Sequence, residues 1–92
     1  MTPAEVLDRT QAVIRRCRAL GAIPNDRIEG TESLARAGEW GIAIENLCEQ
    51  LYDAEVNVPA DIVDEIKELV AAMTLKERYW RMLRPGWQSP GA

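Results

Sequence analysis

Residues 38–52 read GEWGIAIENLCEQLY, and the fold follows from how this stretch distributes its side chains. At roughly 100° per residue, Trp40, Ala43, Ile44, Leu47, Cys48 and Leu51 fall within one arc of a helix and form an apolar stripe that needs a core. Glu45, Glu49 and Asp53 recur every fourth residue on the opposite side. Like charges at this spacing cost a helix roughly 0.2–0.5 kcal/mol per pair, so helix stability does not explain them. Ile42 projects to the same acid side, either as a packing site for a preceding helix or as an anchor for a partner.

Outward from this stretch, charge is unevenly distributed. From Glu39 to Glu68 nine acids face a single base, Lys67, for a net −8, while the remainder of the chain carries +4. An acidic middle argues against nucleic acid as the partner and for a cationic protein surface, the alternative being a merely solvated face. The 92 residues make one domain, able to bury roughly 60–65% of the surface its unfolded chain exposes. No apolar run approaches the ~18 residues of a membrane span, and no basic segment precedes an apolar one at Met1. A cytoplasmic protein without membrane contact is therefore expected. Cys17 and Cys48 both lie on apolar stripes and read as buried, reduced thiols rather than as a labile bridge or a reactive thiol.

Before the central stretch, Thr2-Pro3-Ala4-Glu5 carries a hydroxyl cap, a proline at the first helical position and a glutamate three residues after the cap. Val6, Thr10, Val13, Ile14 and Cys17 share one face of the resulting helix, and Gly21 suits a left-handed C-terminal cap. Arg9, Arg15, Arg16 and Arg18 dress the rest of it as solvating charges and partners for the acidic middle. Ala22 to Gly30 is rich in turn formers and reads as a connection with at most one helical turn, pinned by Ile28. Thr31 then caps a short helix, Glu32–Ala37, that Gly38 ends. Gly41, lacking a Cβ, allows another backbone to approach the central helix.

After the central helix, Asp53 to Val58 reads as an extended linker, and Pro59-Ala60-Asp61 starts the next helix. Ile62, Val63, Ile66, Leu69, Val70 and Met73 share its inner face; Asp61, Asp64, Glu65 and Glu68 share the other. The connection is short, so the two helices should pair antiparallel with bordering acid faces. Thr74-Leu75-Lys76-Glu77 reads as a second capping box, opening a last helix with Leu75, Tyr79, Met82 and Leu83 inside and Trp80 outside. The expected architecture is all-α: a small antiparallel bundle of four main helices plus one short helix over residues 1–84, with 85–92 as a flexible tail.

The run Gly38-Glu39-Trp40-Gly41-Ile42-Ala43-Ile44-Glu45-Asn46-Leu47, continuing through Leu51-Tyr52 and, after Val58-Pro59, the helix to Met73, resembles the MafI-type immunity proteins of bacterial polymorphic toxin systems. The resemblance covers about 35 of the 92 residues and leaves out helix 1 and Lys76 to Ala92. It implies a small helical protein without catalysis that binds a cognate toxin domain, often a nuclease such as a ribonuclease, and keeps the producing cell alive. The physical reading points the same way, because a nuclease active site holds phosphates and is cationic. The candidate partner-binding residues are Ile42, Glu45, Glu49, Tyr52 and Asp53 with Asp61, Asp64, Glu65 and Glu68; Trp40 is better placed in the core.

An enzyme is the rival class. Histidine is absent, as are a glycine-rich phosphate loop and a cysteine outside an apolar stripe, so the usual nucleophile and base pairs are missing. Carboxylates strung along helices lack the alternating spacing of a calcium loop, and no metal or cofactor is expected. The other alternative is a helical adaptor or regulator, contacting nucleic acid through Arg78, Trp80, Arg81, Arg84 and Trp87. Lys76 and these three arginines beside a −8 segment make a poor footprint for that role.

Overall fold

The first helix starts and stops for local reasons, beginning with Thr2. In the computed structural model, which describes residues 1–85, the backbone N–H of Glu5 donates to the Thr2 hydroxyl at 3.2 Å and the Thr2 N–H donates back to the Glu5 carboxylate at 3.2 Å. Helix α1 (Pro3–Leu20) comes next and ends at Gly21, φ 73°, whose N–H donates to the Arg18 carbonyl. Val6, Thr10, Val13, Ile14 and Cys17 are its buried residues, the face its periodicity sets.

The next segment corrects the sequence reading. Helix α2 runs Asn25–Arg36, so the expected connection is itself helical and the expected short helix at Glu32 is only its second half. Thr31 is not a cap. It is fully buried within α2, beside Ile28 and Ala35, which are also at 0% exposure. Packing of these three side chains outweighs the roughly 1 kcal/mol that Gly30 costs a helix interior. Gly38, φ 83°, then ends α2 as expected: its N–H bonds to Ala35 and the Glu39 N–H to Leu34, the paired return of a Schellman motif.

Helix α3 (Trp40–Asp53) buries Ala43, Ile44, Leu47, Cys48 and Leu51. A Cβ at Gly41 would lie 3.2 Å from Leu75 Cδ2, so the close neighbour is a side chain rather than another backbone. After α3 the chain forms a second Schellman return, Val56 N–H to Leu51 and Glu55 N–H to Tyr52, with Glu55 in the left-handed region at φ 54°. Helix α4 (Ala60–Ala72) buries Ile62, Ile66, Leu69 and Val70. Thr74, read as the cap of a new helix, instead closes α4 by the same device: Leu75 N–H reaches Val70, Thr74 N–H reaches Ala71, and Thr74 takes φ 55°. The last helix shrinks accordingly to one turn, α5 (Arg78–Arg81), without a side-chain cap.

The linker contributes β1 (Asn57–Val58), which pairs in parallel with β2 (Arg84–Pro85). Pro85, expected to begin the tail, is thus held by this pairing; the rest of that tail, 86–92, lies outside the described residues. The all-α class holds, with four long helices and one short one among the described residues, but the short one is α5 and not the segment before α3. α1 lies against α2, α3 and α4, and α2 packs broadly on α3. α4 leans chiefly on α1, with a smaller contact on α3, so the expected α3–α4 pair is secondary. Ile14, Ile28, Ile44, Leu47, Leu51, Ile62, Ile66 and Leu69 meet in the centre with under 2% exposure each.

Candidate partner-binding surface

Because α3 buries one side against α1 and α2, its other side is presented whole. At roughly 100° per residue, Ile42, Glu45, Glu49, Tyr52 and Asp53 fall within an arc of about 100°, and the strip they form runs about 16 Å along the helix. Ile42 is 51% and Tyr52 49% exposed, two of the four exposed large hydrophobic side chains among the described residues. Glu49 and Asp53 are exposed and Glu45 is half-buried. None of these three carboxylates belongs to an ion pair among the described residues.

The carboxylates of α4 have a different environment. Arg9 on α1 donates through Nε to Glu65 at 2.7 Å and through Nη2 to Glu68 at 3.0 Å, with a second contact to Glu65 making that pair bidentate. Arg16, two turns further along α1, pairs with Asp61. The hydrogen bond from Arg9 holds the Glu65 carboxyl below the usual carboxylate range, and the one from Arg16 does the same for Asp61. Hydrogen bonds to Glu65 and Glu68 raise the Arg9 pKa in turn. Of the four candidates on α4, only Asp64 is exposed and unpaired. The two acid faces therefore do not join into one surface: that of α4 is turned to α1, and that of α3 is open.

Beside the open strip lies a depression of about 620 Å³. Glu49, Tyr52 and Asp53 line it from α3, Arg27 from α2, and Met82 from the segment after α5. Its floor includes Asn46 and Gln50, which join buried Thr31 in a polar network: Gln50 Nε2 donates to the Thr31 hydroxyl at 2.9 Å, and that hydroxyl bonds to Asn46 Oδ1. Gln50 Oε1 is buried with no hydrogen-bond partner. Arg27, Asn46, Gln50 and Met82 escaped the sequence reading because their grouping depends on α2 being helical from Asn25, which brings Arg27 and Thr31 over α3.

The remaining candidates fall elsewhere. Trp40 is half-buried, and its indole Nε1 is enclosed without an acceptor. Cys17 and Cys48 are buried free thiols, and desolvation pushes both up to about 12. The basic and aromatic residues near the end of the chain are engaged with one another. Arg78 lies 4.7 Å over the Tyr79 ring, and Trp80 is flanked by Lys67 at 4.7 Å and Arg81 at 4.8 Å. Arg81 pairs with Glu77 and Arg84 with Glu55, while Trp87 lies outside the described residues. Among the described residues no group of three or more His, Cys, Asp or Glu side chains is placed to hold a metal ion, and no helix is long and apolar enough to cross a membrane.

The fold and surface together define a small helical protein with one charged and apolar strip left open on a single helix. No protein-family model matches the chain, and no curated protein and no solved structure matches it either.

Proposed function

We propose that this chain is an immunity protein of the MafI type, acting in the bacterial cytoplasm without catalysis of its own by binding a cognate toxin domain with a cationic cleft, a nuclease by the logic of charge. The observation that carries the reading is the contrast in pairing: among the described residues Glu45, Glu49 and Asp53 stand unpaired around exposed Ile42 and Tyr52, whereas Asp61, Glu65 and Glu68 are engaged by α1. Unpaired carboxylates beside an aromatic and an aliphatic anchor suit a basic partner, with charge speeding encounter and the two side chains supplying buried area. The interaction surface is accordingly the α3 strip with Asp64 at most at its margin, and the arginine-paired acids of α4 act within the fold.

The adaptor reading, with nucleic-acid contact through Arg78, Trp80, Arg81 and Arg84, is weakened by the stacking and ion pairs that occupy those side chains. The test is binding of the toxin domain encoded beside this chain, with Glu49→Lys against Arg15→Glu as control. Affinity should fall by orders of magnitude for the first, since a like charge opposite a cationic cleft costs several kcal/mol, and stay near wild type for the second. Wild-type affinity for Glu49→Lys together with a loss for Arg15→Glu would place the interface on the basic side of the molecule.

A further inference from the structure

We propose that the depression beside α3 is the seat of an arginine side chain from the partner protein, with Arg27 as the cation of this chain whose charge opposes that binding. This rests on the partner-binding reading and names what the strip grips. Two features of the depression select a guanidinium. Glu49 and Asp53, one helical turn apart on its wall, are carboxylates without an ion-pair partner among the described residues. Tyr52, between them in sequence, lines the same depression and is 49% exposed, so an aromatic ring stands beside the carboxylates. A planar group with several N–H donors can stack on the ring while donating to a carboxylate; an ammonium is a point charge that lacks the planar face and the paired donors.

Arg27 lines the same depression yet makes no ion pair among the described residues; its backbone carbonyl is a weak acceptor from Gln50 Nε2 at 3.4 Å and from the Thr31 hydroxyl. Its charge lowers the negative potential that an incoming arginine meets. Removing that charge therefore strengthens binding of a cation, whereas an Arg27 that itself contacted the partner would weaken binding on removal.

The experiment titrates isotopically labelled protein, at low ionic strength, with a capped Gly-Arg-Arg-Gly peptide, its lysine counterpart and its glutamate counterpart, read by NMR chemical shifts. The arginine peptide should give saturable shifts confined to the depression, including the Gln50 side-chain amide, and the glutamate peptide none. Tyr52→Leu should weaken the arginine peptide about threefold, the scale of an exposed cation–π contact. Arg27→Gln should tighten it about threefold, the scale of one exposed charge. Equal binding of the lysine peptide, shifts spread over Asp61, Glu65 and Glu68, or weaker binding by Arg27→Gln overturns the proposal. Its failure is distinguishable from failure of the partner reading: a dead peptide titration beside a toxin interaction still abolished by Glu49→Lys rejects only the arginine seat.

Discussion

Helices α3 and α4 look alike as sequences and behave differently as parts of a molecule. Each buries an aliphatic stripe and carries carboxylates on its outer side. In α4 three of them, Asp61, Glu65 and Glu68, meet Arg9 and Arg16 across the contact with α1 and become part of what joins the two helices. In α3 the corresponding groups form no ion pair among the described residues and are interrupted by exposed Ile42 and Tyr52. The same local pattern thus yields a structural face when a neighbour supplies the counter-charge and an open face when none does. Charge on a helix acquires its meaning from what stands opposite.

Exchanging the perturbation between the two helices gives the largest effect. Glu49→Lys should abolish toxin binding by orders of magnitude while leaving thermal unfolding unchanged or slightly raised, because it also relieves repulsion worth roughly 0.2–0.5 kcal/mol per pair along α3. Glu65→Lys should do the reverse, keeping binding in the folded fraction but lowering stability, since it sets a second cation against half-buried Arg9. Calorimetry of unfolding and of binding on the same two variants decides the matter; equal losses of affinity would erase the distinction between the helices.

Next in size is Arg9→Ala. It should destabilise the fold by about 1 kcal/mol, near the upper end for partly exposed ion pairs, because one guanidinium joins two carboxylates across a helix contact. Chemical denaturation reads this directly, and Arg15→Ala, an exposed arginine with no ion pair among the described residues, should change stability by less than about 0.5 kcal/mol.

A pH titration sharpens the comparison further. The folded-state pKa of Glu65 is lowered by Arg9, so its contribution is complete above the unfolded value of about 4.3 and is lost as pH falls through the lower folded value. Acid unfolding of Arg9→Ala should then be less steep than that of wild type below pH about 4. At the alkaline end the sign is opposite: thiols raised to about 12 by burial keep their stabilising effect below the unfolded value near 9 and lose it as pH climbs towards 12. Neither Cys17 nor Cys48 should react with a thiol reagent until the protein unfolds.

The smallest effect compares how the two helices end. Both α3 and α4 close on a non-glycine residue in the left-handed region, Glu55 and Thr74. Thr74 is β-branched and suffers the larger steric penalty there, whereas Glu55 also pairs with Arg84 at 3.4 Å. Thr74→Gly should stabilise by about 0.5 kcal/mol, the relief of a left-handed side chain less the added entropy of the unfolded chain. Glu55→Gly should be neutral or slightly harmful, as measured by the midpoint of thermal unfolding.

The sequence alone determined the features that depend on residues close together in the chain. The α1 capping box, the glycine ends of α1 and α2, and the buried faces of α1, α3 and α4 all come from periodicity and cap chemistry, which act over three or four residues. The open face of α3, with Ile42 and Tyr52 among acids, was legible for the same reason. Three things only the tertiary structure decided. Asn25 to Gly30 is helical although its composition favours a turn, because Ile28, Thr31 and Ala35 bury together against neighbouring helices and packing outweighs local propensity. Thr74 closes a helix rather than opening one, since a hydroxyl followed by a glutamate suits either end until the backbone is placed. Asp61, Glu65 and Glu68 of α4 are paired within the fold, because Arg9 and Arg16 lie 45 to 59 residues away in sequence and reach them only once α1 has docked. Coulombic partners are chosen by distance in space, and helical periodicity carries no information about which helix lies opposite.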